Sequence, residues 1–134
     1  MLIAQVNLGL QITILAIVLI GYVLKRKAKF FLHGASMLVG VALNLISFLV
    51  VMGPSLLSFE IIRTQPMNEA SLIALTHGII GGTALVSGVL MVASWHLQSS
   101  TKSCVKRKTL MKITIVLWTI ALVLGIWLYT ILYL

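Results

Sequence analysis

The chain has 134 residues and a net charge of +8, yet only 9% of its residues are charged and 60% are hydrophobic. With a mean hydropathy of +1.15 it lacks the polar residues to cover a soluble domain's surface. Its positive charge sits in two short connections between apolar runs, where membrane orientation accounts for it, and a nucleic-acid partner is excluded.

Four apolar runs approach the roughly 20 residues that carry a helix across about 30 Å of hydrocarbon. The first spans about residues 3–24. It has neither a basic n-region nor a small-residue cleavage site, so it is expected to be an uncleaved span rather than a signal peptide. The second spans about residues 30–52 and is expected to stop at Gly53-Pro54. The third spans about residues 71–95 and the fourth about residues 113–134. The runs lack polar alternation and are too long for strands. The fold class predicted is all-α: a single-domain, integral membrane four-helix bundle over residues 1–134.

Orientation follows from lysine and arginine. Lys25, Arg26, Lys27 and Lys29 follow the first span, and Lys102, Lys106, Arg107, Lys108 and Lys112 follow the third, against Arg63 alone after the second. The positive-inside rule places the two basic connections in the cytoplasm of a multi-pass cell-membrane protein, with both termini outside. The connection after the second span, half apolar, is expected to hold a short helix at the membrane surface.

Polar residues inside a membrane are costly, so each is a candidate for function. His33 lies about 5 Å inside the basic end of the second span, and His96 closes the third span at that same edge. His77 precedes His96 by 19 residues, about 28 Å along one helix, and belongs to the other half. A two-histidine site would therefore pair His33 with His96. Ser36, Met37, Thr114 and Trp118 share that layer, Met37 being four residues after His33 and on its face. Arg26, Lys27, Lys29 and Arg107 flank it. Axial imidazoles, an apolar slot and basic residues for propionates are what haem b requires. His77 shares its depth with Asn7, Gln11, Ser47 and Tyr129, and hydrogen bonds to Asn7, Gln11 or Ser47 would satisfy it without a cofactor. His33, Ser36, Gly40, Asn44 and Ser47 form a polar stripe that should face the bundle interior.

Plainer uses remain open for each feature. His77, Gly81, Ala84, Gly88 and Met91 share a face that suits close helix packing first and a flat macrocycle second. Trp95, Trp118, Trp127, Tyr129 and Tyr133 suit interface belts. A copper(I) site on His33 and Met37 lacks a third soft ligand. No intramembrane carboxylate serves a proton relay, no glycine-rich phosphate loop is present, and no serine or Cys104 has a placed base. Four spans without repeats make a poor secondary transporter. The single cysteine allows no intrachain disulfide.

"KRKAKFFLHGASM", "THGIIGGTAL" and "RKTLMKITIVLWTIALVLGIWLYTILYL", in this order and spacing, resemble the small four-span membrane proteins grouped as domain-of-unknown-function family 420. The resemblance covers roughly residues 25–134. It implies a link to haem-copper oxidases, as maturation factors or neighbours, and histidines at both membrane faces. Carried over, His33 and His77 match. Two further family histidines fall at Pro54 to Ser55 and near Arg107, where this chain has none, and His96 has no counterpart. That leaves an inner site rebuilt around His96 or a copy without its cofactor.

The leading expectation is a membrane subunit that binds haem b and passes electrons within a respiratory or oxidoreductase complex. His33 and His96 would be its axial ligands, with Arg26, Lys27, Lys29 and Arg107 on the propionates. His77 would serve a second site or a quinone headgroup. The alternative is a cofactor-free accessory or assembly subunit of a larger membrane complex. A weaker third reading is a factor that handles metal or haem transiently. None of these makes the chain catalytic on its own.

Overall fold

The computed structural model describes residues 2–95 and 105–134. His96, the proposed second axial ligand, lies outside the described residues, as do Lys102 and Cys104. The described residues form helices α1 (Leu2–Arg26), α2 (Phe30–Ser47), α3 (Gly53–Ser58), α4 (Glu60–Thr64), α5 (Glu69–Trp95) and α6 (Lys108–Tyr133), with a π-helical turn, Phe48–Met52, between α2 and α3. No strand occurs among them. Helices α1, α5 and α6, and α2 with its continuation, are each long and apolar enough to cross a membrane.

Helix α1 ends in a Schellman motif. The Ala28 and Lys29 amides donate to the carbonyls of Lys25 and Leu24, both at 3.0 Å, and Ala28 takes φ 57°. Glycine usually holds this left-handed position, because a Cβ there is strained. Lys25 and Arg26 occupy the last turn, where cations complement the helix dipole. The turn brings α2 back along α1.

Contrary to the sequence expectation, Gly53-Pro54 does not stop the second span. Gly53 is helical (φ −61°) and its amide bonds five residues back, to Phe48 O. A proline ring collides with the carbonyl four residues before it in an α-helix. The wider π turn opens room for that ring, and the helix continues to Ser58. The break comes at Phe59, which is extended (φ −76°, ψ 90°). The short helix expected after it is α4.

Asn68 caps α5, its Oδ1 accepting from the Ala70 amide at 3.0 Å, with Glu69 in the first turn. At the other end the Arg107 guanidinium donates to the Ser94 carbonyl, a cation at a helix C-terminus. Within the second hairpin, α5 and α6 pack along their length, and Ser87 and Thr114 share a hydrogen bond of 3.0 Å.

The molecule is thus two helical hairpins, α1–α2 and α5–α6, which meet chiefly through α2 and α5. Gly88 is one point of contact: a Cβ there would come within 3.2 Å of Val41 Cγ2. At Gly34 the Trp95 ring occupies the space a side chain would need. Ile14, Val18 and Met37 form the core cluster, with Leu10, Leu43, Val92, Ile115 and Trp118 packed against it. Trp118 is therefore a packing residue rather than an interface-belt one. Most other large apolar side chains point outward, as expected where lipid, not water, surrounds the helices.

Candidate functional site

The basic end of the bundle holds the layer the sequence singles out around His33. His33 is buried, and its Nδ1 lies 2.8 Å from the Gly21 carbonyl of α1. A carbonyl only accepts, so Nδ1 carries the proton and Nε2 keeps its lone pair. Metal-ligating histidines commonly have this arrangement, the distal N–H fixed by a carbonyl. Met37 belongs to the core cluster, and its Cε would lie 2.6 Å from a Cβ at Gly21. Thr114 is buried and bonded to the Leu110 carbonyl. Arg26, Lys27 and Lys29 stand at the α1–α2 turn, and Arg107 is engaged with α5. Among the described residues no group of three metal-ligating side chains comes together. In this layer they supply one imidazole, that of His33.

Toward the α3–α4 end the hairpins leave a partly open cavity of about 400 Å³ between them. Helices α1 and α2 contribute Asn7, Gln11 and Asn44; α5 and α6 contribute His77, Gly82, Trp118 and Tyr129; Leu56 and Phe59 stand at the α3 side. Of the polar stripe expected on span 2, Asn44 lines the first wall and Ser47 bonds to its α1 residues. Gln11 Nε2 donates to Asn44 Oδ1 and to Ser47 Oγ, both at 3.1 Å. The Ser47 hydroxyl in turn donates to Asn7 Oδ1 at 2.5 Å. Gln11 and Ser47 are buried, Ser47 at 2% exposure, so this network supports the wall rather than facing solvent.

On the second wall His77 does not bond to Asn7, Gln11 or Ser47, the partners the sequence suggested for it. Its Nδ1 lies 2.8 Å from the Ala121 carbonyl of α6, which fixes a proton on Nδ1; in the neutral imidazole Nε2 is then the acceptor. The ring lies against Gly125, where a Cβ would come within 3.0 Å of its Cε1. Any larger residue at 125 would displace it. The separation of the histidines inferred from helical rise holds in this respect: His77 lines the cavity and His33 does not.

Sequence reasoning missed the cavity itself, and with it Trp118 and Gly82 as lining residues. The only signal was the depth match of Asn7, Gln11, Ser47 and Tyr129 with His77. Comparison with protein-family models, with curated proteins and with solved structures finds no match.

Proposed function

We propose that this chain is a multi-pass membrane protein that binds an apolar ligand between its two hairpins, as a non-catalytic subunit of a larger membrane assembly. The observation that carries this reading is the cavity, about 400 Å³, with polar side chains converging from both hairpins into an otherwise apolar lining. Ligand sites have this character: volumes of roughly 300–1,000 Å³ and a few placed polar groups. Polar residues at membrane depth are expensive unless function retains them, and the Asn7–Ser47–Gln11–Asn44 network concentrates them beside this space. The resemblance to family 420 favours a respiratory or oxidoreductase assembly as the setting, and the basic connections favour a cytoplasmic position for the α1–α2 turn.

The test uses Gly82, which lines the cavity and whose Cβ would meet nothing within 4 Å. Gly82→Phe therefore adds a bulky ring at a lining position whose Cβ is free of clashes. Delipidated wild-type protein supplied with the apolar extract of its host membrane should unfold at a higher temperature, and Gly82→Phe should not respond. An equal response from both proteins would refute the reading.

Haem b at the basic end is the second reading, favoured by the His33 Nδ1–H fixed on the Gly21 carbonyl, with His96 as the other axial ligand. Arg26, Lys27 and Lys29 would pair with the propionates, and the haem would supply one-electron transfer. Reduced-minus-oxidised absorbance of protein made with haem supplied tests it. A sharp α-band that His33→Ala removes would support haem b. A flat spectrum would leave the cofactor-free accessory reading for that end.

A further inference from the structure

We propose that the cavity recognises a neutral aromatic headgroup bearing a hydroxyl at each of two opposite ends, on an apolar tail: the quinol class of membrane lipids. This rests on the reading of the cavity as a ligand site, and the argument is an inventory of hydrogen-bonding atoms.

Charge comes first. Among the described residues the cavity lining contains no Asp, Glu, Lys or Arg. A phosphate, carboxylate or ammonium headgroup would enter without a counter-charge, at a desolvation cost that no lining group offsets. The headgroup is therefore neutral.

The α1–α2 wall comes second. The oxygens of Asn44 and Asn7 are already accepting, from Gln11 and Ser47 respectively. Their Nδ2 groups remain as donors, without partners among the described residues. The Gln11 amide nitrogen is used twice, which leaves its Oε1 as an acceptor. This wall offers both donors and an acceptor, and a hydroxyl, which donates once and accepts, satisfies both.

The α5–α6 wall comes third. His77 Nδ1–H is committed to the Ala121 carbonyl, so in the neutral imidazole Nε2 is the acceptor. It asks for a ligand donor, and a second hydroxyl provides one. Tyr129, on the same wall, can donate to that hydroxyl's oxygen. A quinone carbonyl accepts only and leaves Nε2 unsatisfied, so the reduced form is preferred. A sterol or a long-chain alcohol carries one hydroxyl and satisfies one wall. The cavity is partly open, which gives the tail an exit into lipid.

The test is NMR of the full chain in phosphatidylcholine nanodiscs, with 15N in the histidine rings and tryptophan indoles. Three probes are titrated: a decyl-tailed benzoquinol, the matching benzoquinone, and decylbenzene. The expected result is a saturable shift of His77 Nε2 with the quinol, smaller and at higher concentration with the quinone, and none with decylbenzene. Asn44→Leu should raise the quinol midpoint roughly tenfold, the effect of one hydrogen bond. His77→Phe should raise it likewise, read from the Trp118 indole. If all three probes shift Trp118 at equal midpoints, the headgroup assignment is overturned while the ligand cavity stands. If none shifts Trp118, both fall. An Asn44→Leu midpoint equal to wild type overturns the two-wall recognition.

Discussion

Replacing Gln11 with leucine keeps the side chain's bulk and removes its amide. In the structure that amide nitrogen holds two interhelical bonds, to Asn44 Oδ1 and Ser47 Oγ, each 3.1 Å. Bonds of this kind in a bilayer are worth about 0.6 kcal/mol on average and up to about 1.7. Two of them place the cost of Gln11→Leu at roughly 1–2 kcal/mol. The cost stays at that level because nothing buried is left orphaned. Ser47 keeps its bond to Asn7, and Asn44 faces the cavity, where water can reach it. Leucine brings no compensating burial, since lipid is as apolar as the site it leaves. The assay is SDS titration of the protein in mixed micelles, followed by tryptophan fluorescence. A double-mutant cycle with Ser47→Ala isolates the shared bond, and its coupling should be about 0.5–1 kcal/mol. A Gln11→Leu protein as stable as wild type, with no coupling to Ser47, would refute the network and the polar wall built on it.

Ala28→Gly should raise stability by roughly 0.5 kcal/mol, the relief of a left-handed Cβ less the added freedom of the unfolded chain; Ala28→Val should lower it, and the same SDS titration reads both. Gly34→Val should destabilise by about 1–3 kcal/mol through overpacking against the Trp95 ring, with a changed near-ultraviolet dichroism, whereas a wild-type spectrum would mean that the hairpins do not close at this point. On a Cys104→Ser background, Ser58→Cys should react with an impermeant thiol reagent added outside sealed cells, and Ala28→Cys should react only after the cells are opened. The opposite pattern would invert the orientation drawn from the basic connections.

Much of the architecture is legible in the residues because length and apolarity alone decide which segments can cross a bilayer. The four spans are found close to where runs of apolar residues put them. Helical rise per residue is fixed, so the assignment of His33 and His77 to different layers also follows. In the stripe from His33 to Ser47, whose members recur at helical spacing, His33, Gly40 and Ser47 are buried and Ser36 and Asn44 are half-buried. Three features are not written locally. The helix passes Gly53-Pro54 because a π turn absorbs the proline, and no residue type marks that turn in advance. His77 finds a backbone carbonyl on α6 rather than a side chain at its own depth. Any helical carbonyl can accept a second bond, so sequence offers no way to choose which. The cavity depends on how far two hairpins splay, and the contacts between them, at Gly34 with Trp95 and at Gly88 with Val41, join residues far apart in the sequence.

The central claim is that the space between the hairpins holds a ligand. Native mass spectrometry of the full chain, extracted in mild detergent and measured beside Gly82→Phe, tests it most directly. The account predicts a neutral adduct of defined mass on the wild-type protein that is lost from Gly82→Phe. The same adduct on both proteins, or none on either, would contradict it.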